Sequence, residues 1–245
     1  MTVRRADRRL GLRLGLALVA TFGLGLLFVL LALLVRARWN PLIRLDTTVA
    51  DSLHAYALRN DWLVTALEVV SHVFDPLVFR LVATGLAVWL LTAGRSRLAA
   101  WTLVTTWGSA LLGAGLKLVV GRARPDLVDA VSTAPGRSFP SGHALGSVVG
   151  CGVLLLLLGP LLSRAWRVLA WVAGGVIVLL VGFARVGLGV HYLTDVVAGW
   201  VLGIAWLAVT AVVFEAWRRD VGLPPSPATE AEPELAEGVP EPGVG

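Results

Sequence analysis

Residues 14–35 read LGLALVATFGLGLLFVLLALLV, an apolar run without a single charge. Crossing the hydrocarbon core of a bilayer takes about 20 helical residues, whereas the apolar core of a cleaved signal peptide is only about 7–15 long. The run therefore reads as a retained first transmembrane helix, preceded by the basic cluster Arg4, Arg5, Arg8, Arg9 and Arg13. The chain outward from it keeps the same character. Of its 245 residues, 57% are hydrophobic and 15% charged, and the mean hydropathy is +0.80; a soluble domain is about a quarter charged. Five further spans are expected at about 77–93, 98–120, 144–162, 168–184 and 192–217.

Residues 36–75 break the pattern, with charged and polar side chains set among apolar ones at helical spacing, such as Leu63, Ala66, Leu67 and Val70. Two short amphipathic helices on the membrane surface or over the bundle are expected, with Asp46 and Asn60 or Asp61 as N-caps. The fold class is all-α: a polytopic membrane helical bundle of about six transmembrane helices plus a short amphipathic segment after the first span. One membrane-embedded domain occupies residues 1–220. Residues 221–245 hold five glutamates, six of the twelve prolines and no basic residue, and such a tail cannot bury a core.

Charge and cysteine usage narrow the partners. The formal net charge is +5, and because the tail is acidic the body is more basic still, which suits anionic lipid surfaces and topology setting. A membrane lipid is the expected partner and no nucleic acid is; oligomeric state is not legible. The one cysteine, Cys151, lies in an apolar run and reads as a small core residue. With the N-terminus cytoplasmic, the turns bearing Arg95 and Arg97, Arg164 and Arg167, and then Arg218 and Arg219, all fall on the cytoplasmic side, as does the C-terminus. The segments 36–75, 121–143 and 185–191 fall outside, and they too carry arginine, against the rule.

Those outer segments hold three blocks. In Lys117-Leu-Val-Val-Gly-Arg-Ala-Arg124-Pro125 the two named cations are seven apart, about two helical turns, with Pro125 as the expected helix stop. In Pro140-Ser141-Gly142-His143, a histidine sits at the N-terminus of a span, where free N–H groups and the helix dipole favour an anion; ordinary capping by Ser141 is the plainer reading. In Arg185-Val-Gly-Leu-Gly-Val-His191-Tyr-Leu-Thr-Asp195, His191 and Asp195 are i,i+4. A carboxylate on one imidazole nitrogen fixes the tautomer and frees the other nitrogen to attack. Each block alone has a structural explanation.

In combination, Lys-x6-Arg-Pro, Pro-Ser-Gly-His and Arg-x5-His-x3-Asp resemble the type 2 phosphatidic acid phosphatase superfamily, which also includes bacterial non-specific acid phosphatases and vanadium haloperoxidases. The third motif departs from the family's usual Ser-Arg start, reading Ala184-Arg185. The resemblance implies metal-independent hydrolysis of a lipid phosphate or pyrophosphate, with no cofactor. It implies His191 as nucleophile, Asp195 as its orienting partner, and His143 as the acid and then base. Lys117, Arg124, Ser141, Gly142 and Arg185 would bind phosphate oxygens. Candidate substrates are a polyprenyl pyrophosphate such as undecaprenyl pyrophosphate, phosphatidate and phosphatidylglycerol phosphate. The site would face the extracytoplasmic side of the cell membrane.

A lipid phosphotransferase would use the same site. A transporter is the non-enzymatic alternative, but the motif charges gather at span ends on one side, whereas transporters place ionisable residues near the midplane. A haloperoxidase is more distant. Arg122 and Arg137 are read as solvating the outer loop or, alternatively, binding a second phosphate; His54 and His72 are read as helix-surface residues.

Overall fold

The computed structural model describes residues 2–127 and 131–220. The tail at 221–245 lies outside the described residues, as do the side chains of Arg4, Arg5, Arg8, Arg9, Arg13, Arg218 and Arg219. The described residues form helices α1 (Thr2–Arg36), α2 (Asn40–Ala57), α3 (Asp61–Val73), α4 (Pro76–Thr92), α5 (Ser96–Val120), α6 (Gly142–Leu158), α7 (Arg164–Gly187) and α8 (Leu193–Asp220), with a 3-10 turn, Gly159–Leu161, after α6. Among the described residues six stretches are long and apolar enough to cross a membrane: Leu18–Arg36, Asp61–Thr92, Ser96–Val120, Gly142–Leu161, Arg164–Gly187 and Leu193–Trp217. The protein is a polytopic membrane bundle.

Helix ends follow from local chemistry. The Asp75 carboxylate accepts from Leu77 N at 2.7 Å and Pro76 takes the first helical position, which together start α4. Ser141 starts α6 in the same way, its Oγ accepting from Ala144 N at 3.4 Å. α5 stops at Gly121, whose φ of 70° only glycine adopts freely. Pro125 therefore does not end the helix, and Arg124 stands beyond it rather than two turns along the same face as Lys117.

α6 is the central helix, packed against α4, α5, α7 and α8. Of its apolar window 56% is buried, against 11% for α1, which leans on α8. Phe139, Leu145, Val149, Val153, Ala198 and Leu202 lie in the shared core, with the Phe28 ring 5.8 Å from Phe139. α6 and α8 approach closely at Gly199, where an added Cβ would stand 2.7 Å from the Ser141 carbonyl oxygen. Large apolar side chains such as Phe22, Leu111, Leu118 and Leu179 point outward, as a lipid-facing surface requires.

The amphipathic segment is α2 and α3. α3 packs on α7, and α2 packs on α7 and α8. The buried stripe of α2 is Asp46, Ala50, His54 and Ala57. Asp46 is thus no N-cap: it sits inside α2 with its carboxylate aimed into the bundle. His54 is buried rather than on the helix surface, while His72 stays exposed with Nδ1 2.7 Å from Glu68 O. Asn60 does precede α3, but its amide donates to Tyr56 O at 2.8 Å instead of capping.

Candidate active site

One end of the bundle, built by the starts of α4, α6 and α8 and the ends of α5 and α7, encloses a cavity of about 390 Å³. Lys117, Arg124, Gly142, His143, Arg185 and His191 all line it. Two of the eight residues expected in the site do not: Asp195 lies fully buried behind His191, and the Ser141 hydroxyl is buried as the α6 cap.

The loop between α5 and α6 is closed at its base. Ser138 donates its N–H to Arg122 O at 3.0 Å and its hydroxyl to Ala123 O at 2.9 Å, while Phe139 anchors the loop in the core. Arg124 then binds the loop from within, donating to Pro135 O at 3.0 Å, to Gly136 O at 3.2 Å and to Val190 O at 2.6 Å. Lys117 Nζ donates to Arg137 O at 2.7 Å. These cations are held by carbonyl oxygens, so their charge is not cancelled by a carboxylate.

His191 precedes α8 rather than lying on it, in a turn where its N–H and that of Val190 both donate to Arg185 O at 3.2 Å. Its Nδ1 stands 3.4 Å from Asp195 Oδ2, close but without hydrogen-bond alignment. Its Nε2 is 3.3 Å from Arg124 Nη1. A guanidinium can only donate, so Nε2 carries the lone pair and Nδ1 the proton facing Asp195. Burial holds the ring's pKa down at about 4, Arg124 and Arg185 push the same way, and Asp195 opposes them. The imidazole is therefore neutral at neutral pH, with the lone pair of Nε2 beside Arg124 in the cavity wall.

Two donors fix the Asp195 carboxylate, one on each oxygen. Tyr192 N donates to Oδ2 at 3.0 Å, and Arg122 Nη1 donates to Oδ1 at 2.7 Å. Arg122 also donates to Asp46 at 2.6 Å and stacks 4.0 Å from the centre of the Tyr192 ring. Asp46 in turn accepts from both the N–H and the hydroxyl of Thr194. Burial lowers the Arg122 pKa, but Asp195 and Asp46 more than offset it, so the net shift is upward. Arg122 is neither a loop-solvating residue nor available to a second phosphate: it is the cation of a buried Asp46–Arg122–Asp195 bridge. Arg137 is exposed and does not line the cavity.

On the facing side, His143 Nε2 lies 3.2 Å from Asp75 Oδ2. The sequence reading did not single out Asp75 as a partner of His143, because the contact joins the start of α4 to α6 across 68 positions of sequence. The Nε atom of Arg185 is buried with no hydrogen-bond partner among the described residues, and burial of such a donor is costly without an anion to receive it. Among the described residues no three His, Cys, Asp or Glu side chains gather as a metal-ligand group.

The chain is similar to known proteins. The chain is 36% identical over 132 residues to an undecaprenyl-diphosphatase of Sulfolobus acidocaldarius, covering 51% of this chain and 60% of that one. It is 39% identical over 97 residues to phosphatidylglycerophosphatase B of Bacillus subtilis, covering 38% and 47% of the two chains. A lipid A 1-phosphatase of Rhizobium johnstonii is 36% identical over 128 residues, 49% of each chain. The matches thus span about half to three-fifths of the length of these curated relatives. Among solved structures, a transmembrane PAP2-type phosphatidylglycerolphosphate phosphatase from Bacillus subtilis superposes with a TM-score of 0.68 at 25% identity, over 82% of this chain and 96% of that one. The PAP2 superfamily model matches residues 98–219, from the start of α5 to the end of α8, and the chain belongs to the PAP2 superfamily.

Proposed function

We propose that the protein is a lipid phosphatase that hydrolyses a lipid phosphate or pyrophosphate through a phosphohistidine at His191. The observation that carries this reading is the lone pair of His191 Nε2, held in a cavity beside Arg124 and shared with Lys117, Arg185 and His143. In the first step Nε2 attacks phosphorus, a P–N bond forms and the P–O bond to the lipid breaks. His143 supplies the proton to the departing oxygen. Water then attacks the phosphohistidine, His143 accepts its proton, and inorganic phosphate leaves with His191 restored. Phosphoryl transfer spreads charge over three equatorial oxygens, and preorganised cations are what that charge needs.

Three PAP2 relatives bear the names of lipid phosphatases or a lipid pyrophosphatase, which supports this substrate class. The site sits at the end of the bundle opposite the Arg95/Arg97 and Arg164/Arg167 turns. With those turns cytoplasmic, it opens at the outer membrane–water boundary, where a phosphate head is wet and its tail stays in lipid. The test is phosphate release in detergent, with chelator present, from a short-chain polyprenyl pyrophosphate and from phosphatidate. Release by the wild type and its loss in His191→Ala are expected; full-rate release by His191→Ala would rule the mechanism out.

A further inference from the structure

Arg80 is a charge within an apolar span that the phosphohistidine mechanism does not use. Ionisable residues inside spans are costly and mark function more often than architecture. It lines the same cavity as His143, His191, Lys117 and Arg185. Its Nε donates to Pro76 O at 2.9 Å, one turn back along α4. The side chain thus runs toward the end of α4 where Asp75 meets His143. Its Cζ stands 5.5 Å from the centre of the Trp107 ring, and Trp107 Nε1 is itself tied to Thr84 at 3.1 Å. Among the described residues no carboxylate pairs with Arg80. The nearby Asp75 gives one oxygen to Leu77 N and the other to His143. A guanidinium has five N–H donors, and among the described residues only the one on Nε has a protein partner.

Resting on the hydrolase reading, we infer that Arg80 binds the lipid-attached phosphate of a lipid pyrophosphate while the terminal phosphate lies against His191. In an in-line displacement the leaving oxygen points away from the nucleophile. It therefore faces His143, and the remainder of the substrate, attached through that oxygen, extends toward α4. Lys117 and Arg124 lie at the other end, toward His191, while Arg185 stands near both histidines. A lipid monophosphate places only an ester carbon on the α4 side, whereas a pyrophosphate places a second anionic phosphate there. Arg80 is the cation that α4 itself brings to that side, and neither Arg122 nor Arg137 lines the cavity there. Arg80 would thus select pyrophosphate over monophosphate substrates.

The test is calorimetric binding of inorganic pyrophosphate and inorganic phosphate to the wild type, Arg80→Gln and Arg80→Lys, in detergent and without turnover. A charge-assisted hydrogen bond predicts a weakening of pyrophosphate binding by about tenfold or more in Arg80→Gln. Phosphate binding should stay within about twofold, and Arg80→Lys should recover part of the loss. Equal weakening of both anions would mean a structural role and overturn the inference, as would unchanged pyrophosphate binding in both variants. Lipid hydrolysis by the wild type, measured alongside, separates the two claims. An inactive wild type removes the hydrolase reading and this inference with it; an active one with unaltered pyrophosphate binding in Arg80→Gln removes the inference alone.

Discussion

At the scale of single residues, the proposed attack on phosphorus turns on the protonation of His191. Burial and two neighbouring arginines hold its pKa at about 4, below the ordinary histidine value. Protonation fills Nε2 and abolishes attack, so activity is lost as pH falls through the folded-state value. Because kcat/KM reports the free enzyme, its acid limb on a nitrophenyl phosphate, whose leaving group needs no proton, should run down to about pH 4. An acid limb near the ordinary histidine value would contradict the assignment. Asp195→Asn removes the charge that orients the ring, and an analogous loss in a histidine–aspartate pair lowers kcat by roughly 10⁴-fold; we expect a loss of about 10²–10⁴-fold, read as kcat on the same substrate. The candidate site residues, six of the eight lining one cavity, were legible in the sequence through three motifs whose order and spacing resemble those of the PAP2 superfamily. The partners that hold them were not. Asp75, Arg80, Arg122 and Asp46 each have an ordinary role as cap, snorkelling cation or loop charge, and only the packing of distant elements removes that ambiguity.

At the scale of elements, six spans and an amphipathic pair followed from hydropathy and helical spacing, and the observed helices lie close to the expected bounds. The differences have local causes. Gly121, in the left-handed conformation, ends α5 before Pro125 can, which frees Arg124 to fold back against His191. The turn at Gly189, with φ of 69°, places His191 ahead of α8. The amphipathic segment is more than a surface cover: through Asp46, α2 is tied to the loop after α5 and to the first turn of α8. Asp46→Ala leaves the Arg122 guanidinium buried with half its counter-charge removed. Breaking a buried pair in this way costs about 3–5 kcal/mol, so the variant should melt well below the wild type in detergent. Asp46→Asn keeps an acceptor for Thr194 and should lose less. An Asp46→Ala variant as stable as the wild type would show that the bridge is not a structural tie.

At the scale of the whole molecule, the site and the arginine-bearing turns lie at opposite ends of the bundle, and positive-inside reasoning turns the site outward. Single cysteines at Arg137 and Ser163, in a Cys151→Ala background, report the orientation. In intact cells a membrane-impermeant maleimide should label the cysteine at Arg137 and reach the one at Ser163 only after permeabilisation. The reverse pattern would place the site in the cytoplasm and change the leaflet from which substrate is drawn. Capture of the covalent intermediate bears on the phosphohistidine mechanism without any intervening step. The protein is mixed with a polyprenyl pyrophosphate radiolabelled in its terminal phosphate and quenched in alkali, which preserves phosphohistidine. Acid-labile label is expected on the peptide bearing His191, absent in His191→Ala and accumulating in a His143 variant slow to activate water. Rapid phosphate release with no label at His191, under conditions that preserve a phosphohistidine standard, would contradict the mechanism.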